Sequence, residues 1–96
     1  MNTIHYFAGE VKRLRLKVYS RENPLAQIIV SGATWELHGL EGKIIDRGAC
    51  TIQDGSNLSF LLHVNEAGQY CLKVTYQVGS ETYITTGRVD CNDCHT

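Results

Sequence analysis

Proline occurs only once in the chain, at position 24, and neither sign of charge is in excess. Nine lysines and arginines stand against ten aspartates and glutamates, for a formal net charge of −1. That balance excludes a protein that coats nucleic acid by bulk electrostatics, so any basic contact must be local and nucleic acid is not the expected partner. Long hydrophobic runs are missing too. The longest uncharged stretch, residues 23–35, contains Pro24, Gln27 and Gly32 and is too short and too polar to cross a bilayer. The opening Met1-Asn2-Thr3-Ile4-His5-Tyr6-Phe7 lacks the basic-then-apolar order of a secretory signal. A cytoplasmic protein without membrane contact is expected, with Met1 to Thr96 read as a complete small gene product. The four cysteines, Cys50, Cys71, Cys91 and Cys94, are then expected as thiols.

Catalytic patterns are also lacking. His5, His38, His63 and His95 are scattered, and no serine-histidine-acid order, H-E-x-x-H or glycine-rich phosphate loop occurs. Lone acids such as Asp46 and Asp54 do not make the carboxylate pair of a glycosidase. A non-enzymatic protein is expected. Ninety-six residues leave room for one core, and 43% apolar with 20% charged residues is the composition of a chain that folds.

What is present is alternation. Leu14, Leu16 and Val18 alternate with Arg13, Arg15 and Lys17; Ala33, Trp35 and Leu37 alternate with Thr34, Glu36 and His38. Leu58, Phe60, Leu62 and Val64 alternate with Ser59, Leu61 and His63, and Tyr70, Leu72, Val74, Tyr76 and Val78 with Cys71, Lys73, Thr75 and Gln77. A period of two is that of a strand with one dry face. Gln27-Ile28-Ile29-Val30 reads as a further short β-branched run, and residues 43–52 as two strands or one bent near Gly48. Gly79-Ser80 is a glycine-first pair suited to a type II′ hairpin turn, which sets Tyr76 opposite Tyr83 and Val74 opposite Thr85. About seven strands with no helical period predict an antiparallel immunoglobulin-like β-sandwich over residues 1–90, with a small β-barrel as the alternative. Residues 91–96 read as a polar tail.

The order Ala33-Thr34-Trp35-Glu36-Leu37, Glu41-Gly42-Lys43, Gly48-Ala49-Cys50-Thr51-Ile52, Leu58-Ser59-Phe60 and Glu66-Ala67-Gly68-Gln69-Tyr70-Cys71-Leu72-Lys73-Val74 resembles a known group. These are the small immunoglobulin-like sandwich proteins of bacteriophages and prophages, including neck, tail and baseplate modules. The resemblance covers about residues 11–90 and implies a virion component or assembly partner acting on other protein subunits, self-assembly included. Similar patterns occur in bacterial adhesin modules, which gives a surface-adhesion alternative. Gly68-Gln69-Tyr70 is similar to the tyrosine corner of immunoglobulin folds, which implies a Tyr70 hydroxyl bonded to backbone at the preceding corner. An antibody-type domain would carry its second core cysteine two residues later. Leu72 stands there, so the intersheet disulfide is absent, and Leu72 against Trp35 is expected to replace it. Trp35, Phe60, Tyr70 and Leu72 are the expected core.

Two features suggest chemistry. Cys91-Asn92-Asp93-Cys94-His95 spells C-x-x-C-H, offering haem attachment or three zinc ligands, Cys91, Cys94 and His95, that need a fourth. The alternative is a polar tail with incidental thiols. Cys50 reads as a small buried hydrophobe, Cys71 as outward and Cys91 as inward, and neither of the latter two has a histidine obviously beside it to activate the thiol. Separately, Lys12, Arg13, Arg15, Lys17 and Arg21 put five of nine cations within ten residues. Arg13, Arg15 and Lys17 in one row suit either a partner surface or protection of a sheet edge.

Overall fold

The computed structural model describes residues 3–20, 25 and 27–93. Among the described residues eight strands form: β1 (Thr3–Phe7), β2 (Glu10–Lys17), β3 (Gly32–Gly39), β4 (Ile44–Ala49), β5 (Thr51–Gln53), β6 (Asn57–Val64), β7 (Gly68–Val78) and β8 (Glu81–Asn92). They make a five-stranded sheet in the order β1-β8-β7-β3-β4 and a three-stranded sheet in the order β2-β6-β5. Every pairing is antiparallel except β1 on β8, which is parallel. The fold is an immunoglobulin-like β-sandwich. Among the described residues no helix is long and apolar enough to cross a membrane.

The alternating residues point where their period places them. Leu58, Phe60, Leu62 and Val64 of β6 are buried against Trp35 and Leu37 of β3, Leu72 and Val74 of β7, and Tyr6 and Val89 of the strands beyond. Trp35 and Phe60 stack between the sheets, ring centroids 5.1 Å apart at 15°. This contact ties the sheets at their centre. Leu72 lies in the same sheet as Trp35, opposite Leu37, so it is a neighbour on the same layer and does not bridge the layers as expected. The missing disulfide is replaced by the indole–phenyl stack.

The β7–β8 hairpin has the expected register: Tyr76 faces Tyr83 and Val74 faces Thr85. The two tyrosine rings stack at 5.6 Å, and Gly79 takes φ of +61° at the first turn position, where a side chain would be strained. Tyr70 donates its hydroxyl to the Glu66 carbonyl at 2.7 Å, forming the corner implied by its resemblance.

Other expectations are corrected. Residues 27–30 form no strand; Val30 is buried and its N–H bonds the Gly55 carbonyl at 2.7 Å, so Val30, with half-buried Ile28, meets the core from a loop while Ile29 is exposed. Of the two readings of residues 43–52, the two-strand one holds, as β4 and β5, and the single strand bent near Gly48 does not: the chain changes sheets at Cys50, whose N–H bonds the Ala33 carbonyl. Gly48 lies within β4 opposite Trp35, where an added Cβ would stand 3.0 Å from the indole nitrogen. Its glycine serves close approach. Finally, β8 runs to Asn92 and buries Cys91, so the fold extends past the expected boundary at residue 90. β1 is the cause, because its ladder along β8 covers Arg88 to Asn92.

Two substitutions test this packing by thermal or denaturant unfolding. Trp35→Ala is expected to cost about 3–5 kcal/mol, a large share of a small domain's stability. Gly48→Ala, a single methyl pressed onto the indole, is expected to cost about 1–3 kcal/mol, and a neutral result would contradict the close approach.

Candidate partner interface

The outward face of the three-stranded sheet is set by register. Val11, Arg13, Arg15 and Lys17 of β2 stand opposite His63, Leu61, Ser59 and Asn57 of β6, with Thr51 and Gln53 of β5 beyond. No aspartate or glutamate occupies an outward position on these three strands. All three cations are exposed, and the surface between them carries exposed Val11 and Leu61. Arg13 Nη1 reaches Ser59 Oγ at 3.4 Å, and Ser59 is 8% exposed although it points away from the core. The sheet face therefore combines a cation row with an apolar strip, and β2 is an edge strand, as the protection reading requires.

Lys12 does not belong to that row. It has inward parity, and its ammonium sits 4.9 Å from the Tyr6 ring centroid, donates to the His5 carbonyl at 2.7 Å and lies 3.7 Å from Glu10 Oε1. Glu10 also accepts from the Phe7 N–H at 2.6 Å. A charge pointing into the end of the sandwich thus closes one end of its open side. Beneath it, Tyr6 crosses between the layers and donates its hydroxyl to the Leu62 carbonyl at 3.0 Å. Burial, and then the Glu10 charge, push the Tyr6 phenol up to about 12 from its usual 10. Arg21 lies outside the described residues.

The remaining candidate chemistry is dispersed. Cys91 points into the core beside Tyr6, and burial first, with the charges of Asp93 and Glu10, pushes its thiol up. Cys94 and His95 lie outside the described residues. Cys50 is half-buried and its thiol is also pushed up by burial. Cys71 is exposed on the outer face of the larger sheet, where β3 places His38 opposite it and β8 places Arg88. The expectation that no histidine flanks Cys71 is therefore corrected. Strand pairing, invisible in sequence separation, brings them together. His38 is oriented elsewhere: Nε2 is 3.1 Å from Glu36 Oε1 and Nδ1 is 3.3 Å from the Gly42 carbonyl, so both ring nitrogens face those oxygens and not the Cys71 thiol. Among the described residues no group of three or more histidine, cysteine or acidic side chains is gathered to hold a metal.

Two measurements follow from these environments. In a Cys94→Ser background, thiol labelling followed by mass spectrometry should modify Cys71 first and Cys91 last, since the thiolate is the reactive form and Cys91 is both covered and raised in pKa. The Tyr6 phenol is held neutral in the fold, so its contribution to stability is full below pH 10 and is lost as pH rises through about 12. Tyr6→Phe should be about 1 kcal/mol less stable at neutral pH and should show a flatter stability profile across that alkaline window.

No family model matches the chain, and no curated protein matches it in sequence. Solved structures do resemble it in shape. An engineered protein, a target of the Northeast Structural Genomics Consortium, aligns with a TM-score of 0.73 at 13% identity over 95% of this chain. The match occupies 18% of that protein's length. CopC from Methylosinus trichosporium OB3b aligns with a TM-score of 0.69 at 12% identity, over 98% of this chain and 87% of that one. At such identities the likeness concerns the fold, and it agrees with the two-layer sandwich described above.

Proposed function

We propose that this chain is a non-enzymatic interaction module that binds an acidic protein surface through Arg13, Arg15 and Lys17. The observation that carries the reading is the outward face of the β2-β6-β5 sheet, on whose strands no acidic residue stands among the cations. Charge of this kind contributes mainly to encounter rate and choice of partner, while exposed Val11 and Leu61 supply apolar contact. The sequence resemblance to phage-encoded sandwich proteins supports a setting in which the partner is another subunit of an assembly. The same cations also guard the β2 edge, because charge that repels a second copy of the strand attracts an acidic one.

The metal-binding alternative receives less support. Cys91, the first ligand of the C-x-x-C-H string, is packed in the core, and metal coordination there would require the end of β8 to open.

Charge reversal tests the proposal. Arg13→Glu with Arg15→Glu should leave the thermal midpoint within a few degrees, since both side chains are exposed. Association with polyglutamate, measured by fluorescence anisotropy at low and moderate salt, should weaken by at least about tenfold. Equal binding by the parent and the variant would overturn the assignment.

A further inference from the structure

The open side of the sandwich lies along β2. Leu14 and Leu16 point inward by parity yet are only half-buried, whereas Leu58 and Leu62 on the neighbouring strand are closed off. The difference comes from what stands across from them. Among the described residues β1 pairs with β8 from Arg88 to Asn92, and across from Leu14 and Leu16 the described part of the facing sheet presents the small Thr85 and Gly87 of β8, with Ile4 of β1 beside them. A cleft of about 500 Å³ results, floored by Leu14, Leu16, Phe60, Leu72 and Val74.

Among the described residues, the backbone along the same edge is paired on one side only. The Val18 N–H bonds the Ser56 carbonyl, which makes that position a hydrogen-bonded pair of the antiparallel ladder. Alternation then gives Leu16, Leu14 and Lys12 to β6 and turns the N–H and C=O groups of Arg13, Arg15 and Lys17 outward, away from β6. Three elements coincide on one strand: outward backbone groups, an apolar cleft on the inner side, and a cation row on the outer side.

We propose that the β2 edge is a strand-acceptor site for an extended segment of a partner protein in which acidic and apolar residues alternate. This rests on the reading of Arg13, Arg15 and Lys17 as a partner surface, and adds how the partner is held. The incoming backbone continues the three-stranded sheet as a fourth strand. Its apolar side chains fall into the cleft over Leu14 and Leu16, and its acidic ones lie beside the guanidinium and ammonium groups of β2. A second copy of β2 is the wrong occupant. Antiparallel self-pairing centred on Leu14 or Arg15 sets Arg13 against Arg15, or Arg13 against Lys17 and Arg15 against itself, each a like-charge pair directly opposed.

The test uses the full chain and a synthetic peptide alternating glutamate and valine over eight residues, the length of β2. A block-ordered peptide of the same composition and two analogues serve as controls, one N-methylated at each glutamate and one at each valine. The alternating peptide is expected to bind, the block-ordered one at least about tenfold more weakly, because net charge is equal and only the pattern differs. One analogue should lose binding and the other keep it, since a strand offers alternate amides to alternate sides. Loss on glutamate methylation reports antiparallel addition, and loss on valine methylation reports parallel addition. Equal binding by the alternating and block-ordered peptides, or by both analogues, would overturn strand addition while leaving the cationic surface in place. Failure of every acidic peptide, polyglutamate included, would overturn both. Dimerisation of the chain alone with protection of the same outward amides would give the edge to a second copy and overturn the proposal.

Discussion

β1 and β2 follow one another in sequence with only Ala8 and Gly9 between them, yet they do not pair. β1 joins the larger sheet beside β8, and the chain crosses to the smaller sheet at the Ala8-Gly9 turn, where the Gly9 N–H bonds the Val64 carbonyl. Tyr6 fastens this arrangement, because its hydroxyl spans the two layers to the Leu62 carbonyl while its ring lies under the Lys12 ammonium. With β1 committed to β8, β2 keeps a single neighbour among the described residues. The free edge, the half-covered leucines and the outward amides of β2 all follow from that one pairing choice.

The remainder of the sandwich is built on a different contact. Trp35 and Phe60 meet face to face between the sheets, and Gly48 permits it by withholding a side chain from the indole. Leu37, Leu62, Val74 and Val89 fill the space around them. Each large buried side chain contributes roughly 1.5–3 kcal/mol, and the three described cysteines, Cys50, Cys71 and Cys91, are free thiols. The weakly filled region is the side facing β2, where Thr85 and Gly87 stand in place of larger residues. Burial is therefore uneven: the stacked centre holds the fold, and the inner side of β2 is less covered.

Much of the fold was legible in the amino-acid sequence because a period of two is a local signal. Leu58 to Val64 and Tyr70 to Val78 needed only their alternation, and Gly79-Ser80 set the hairpin register without further help. What the sequence did not disclose was non-local. Cys91 looked like the start of a tail because nothing in its own neighbourhood shows that Tyr6, eighty-five positions earlier, lies beside it. His38 opposite Cys71 was hidden for the same reason. Residues 27–30 have the β-branched composition of a strand, but they pair with no strand and the Val30 N–H goes to the Gly55 carbonyl of a loop. Arg13, Arg15 and Lys17 were readable as one row, while the assignment of β2 to an edge and of Lys12 to the inner side required the topology.

The account turns on β2 having one partner strand and an open flank. Amide hydrogen exchange of the free protein, resolved residue by residue, tests that directly. Along β2 the rates should alternate, with Leu14 and Leu16 protected by their bonds to β6, and Arg13, Arg15 and Lys17 exchanging quickly into solvent. Uniform protection from Arg13 to Lys17 in the monomer would mean that the edge is already covered, and would contradict the account.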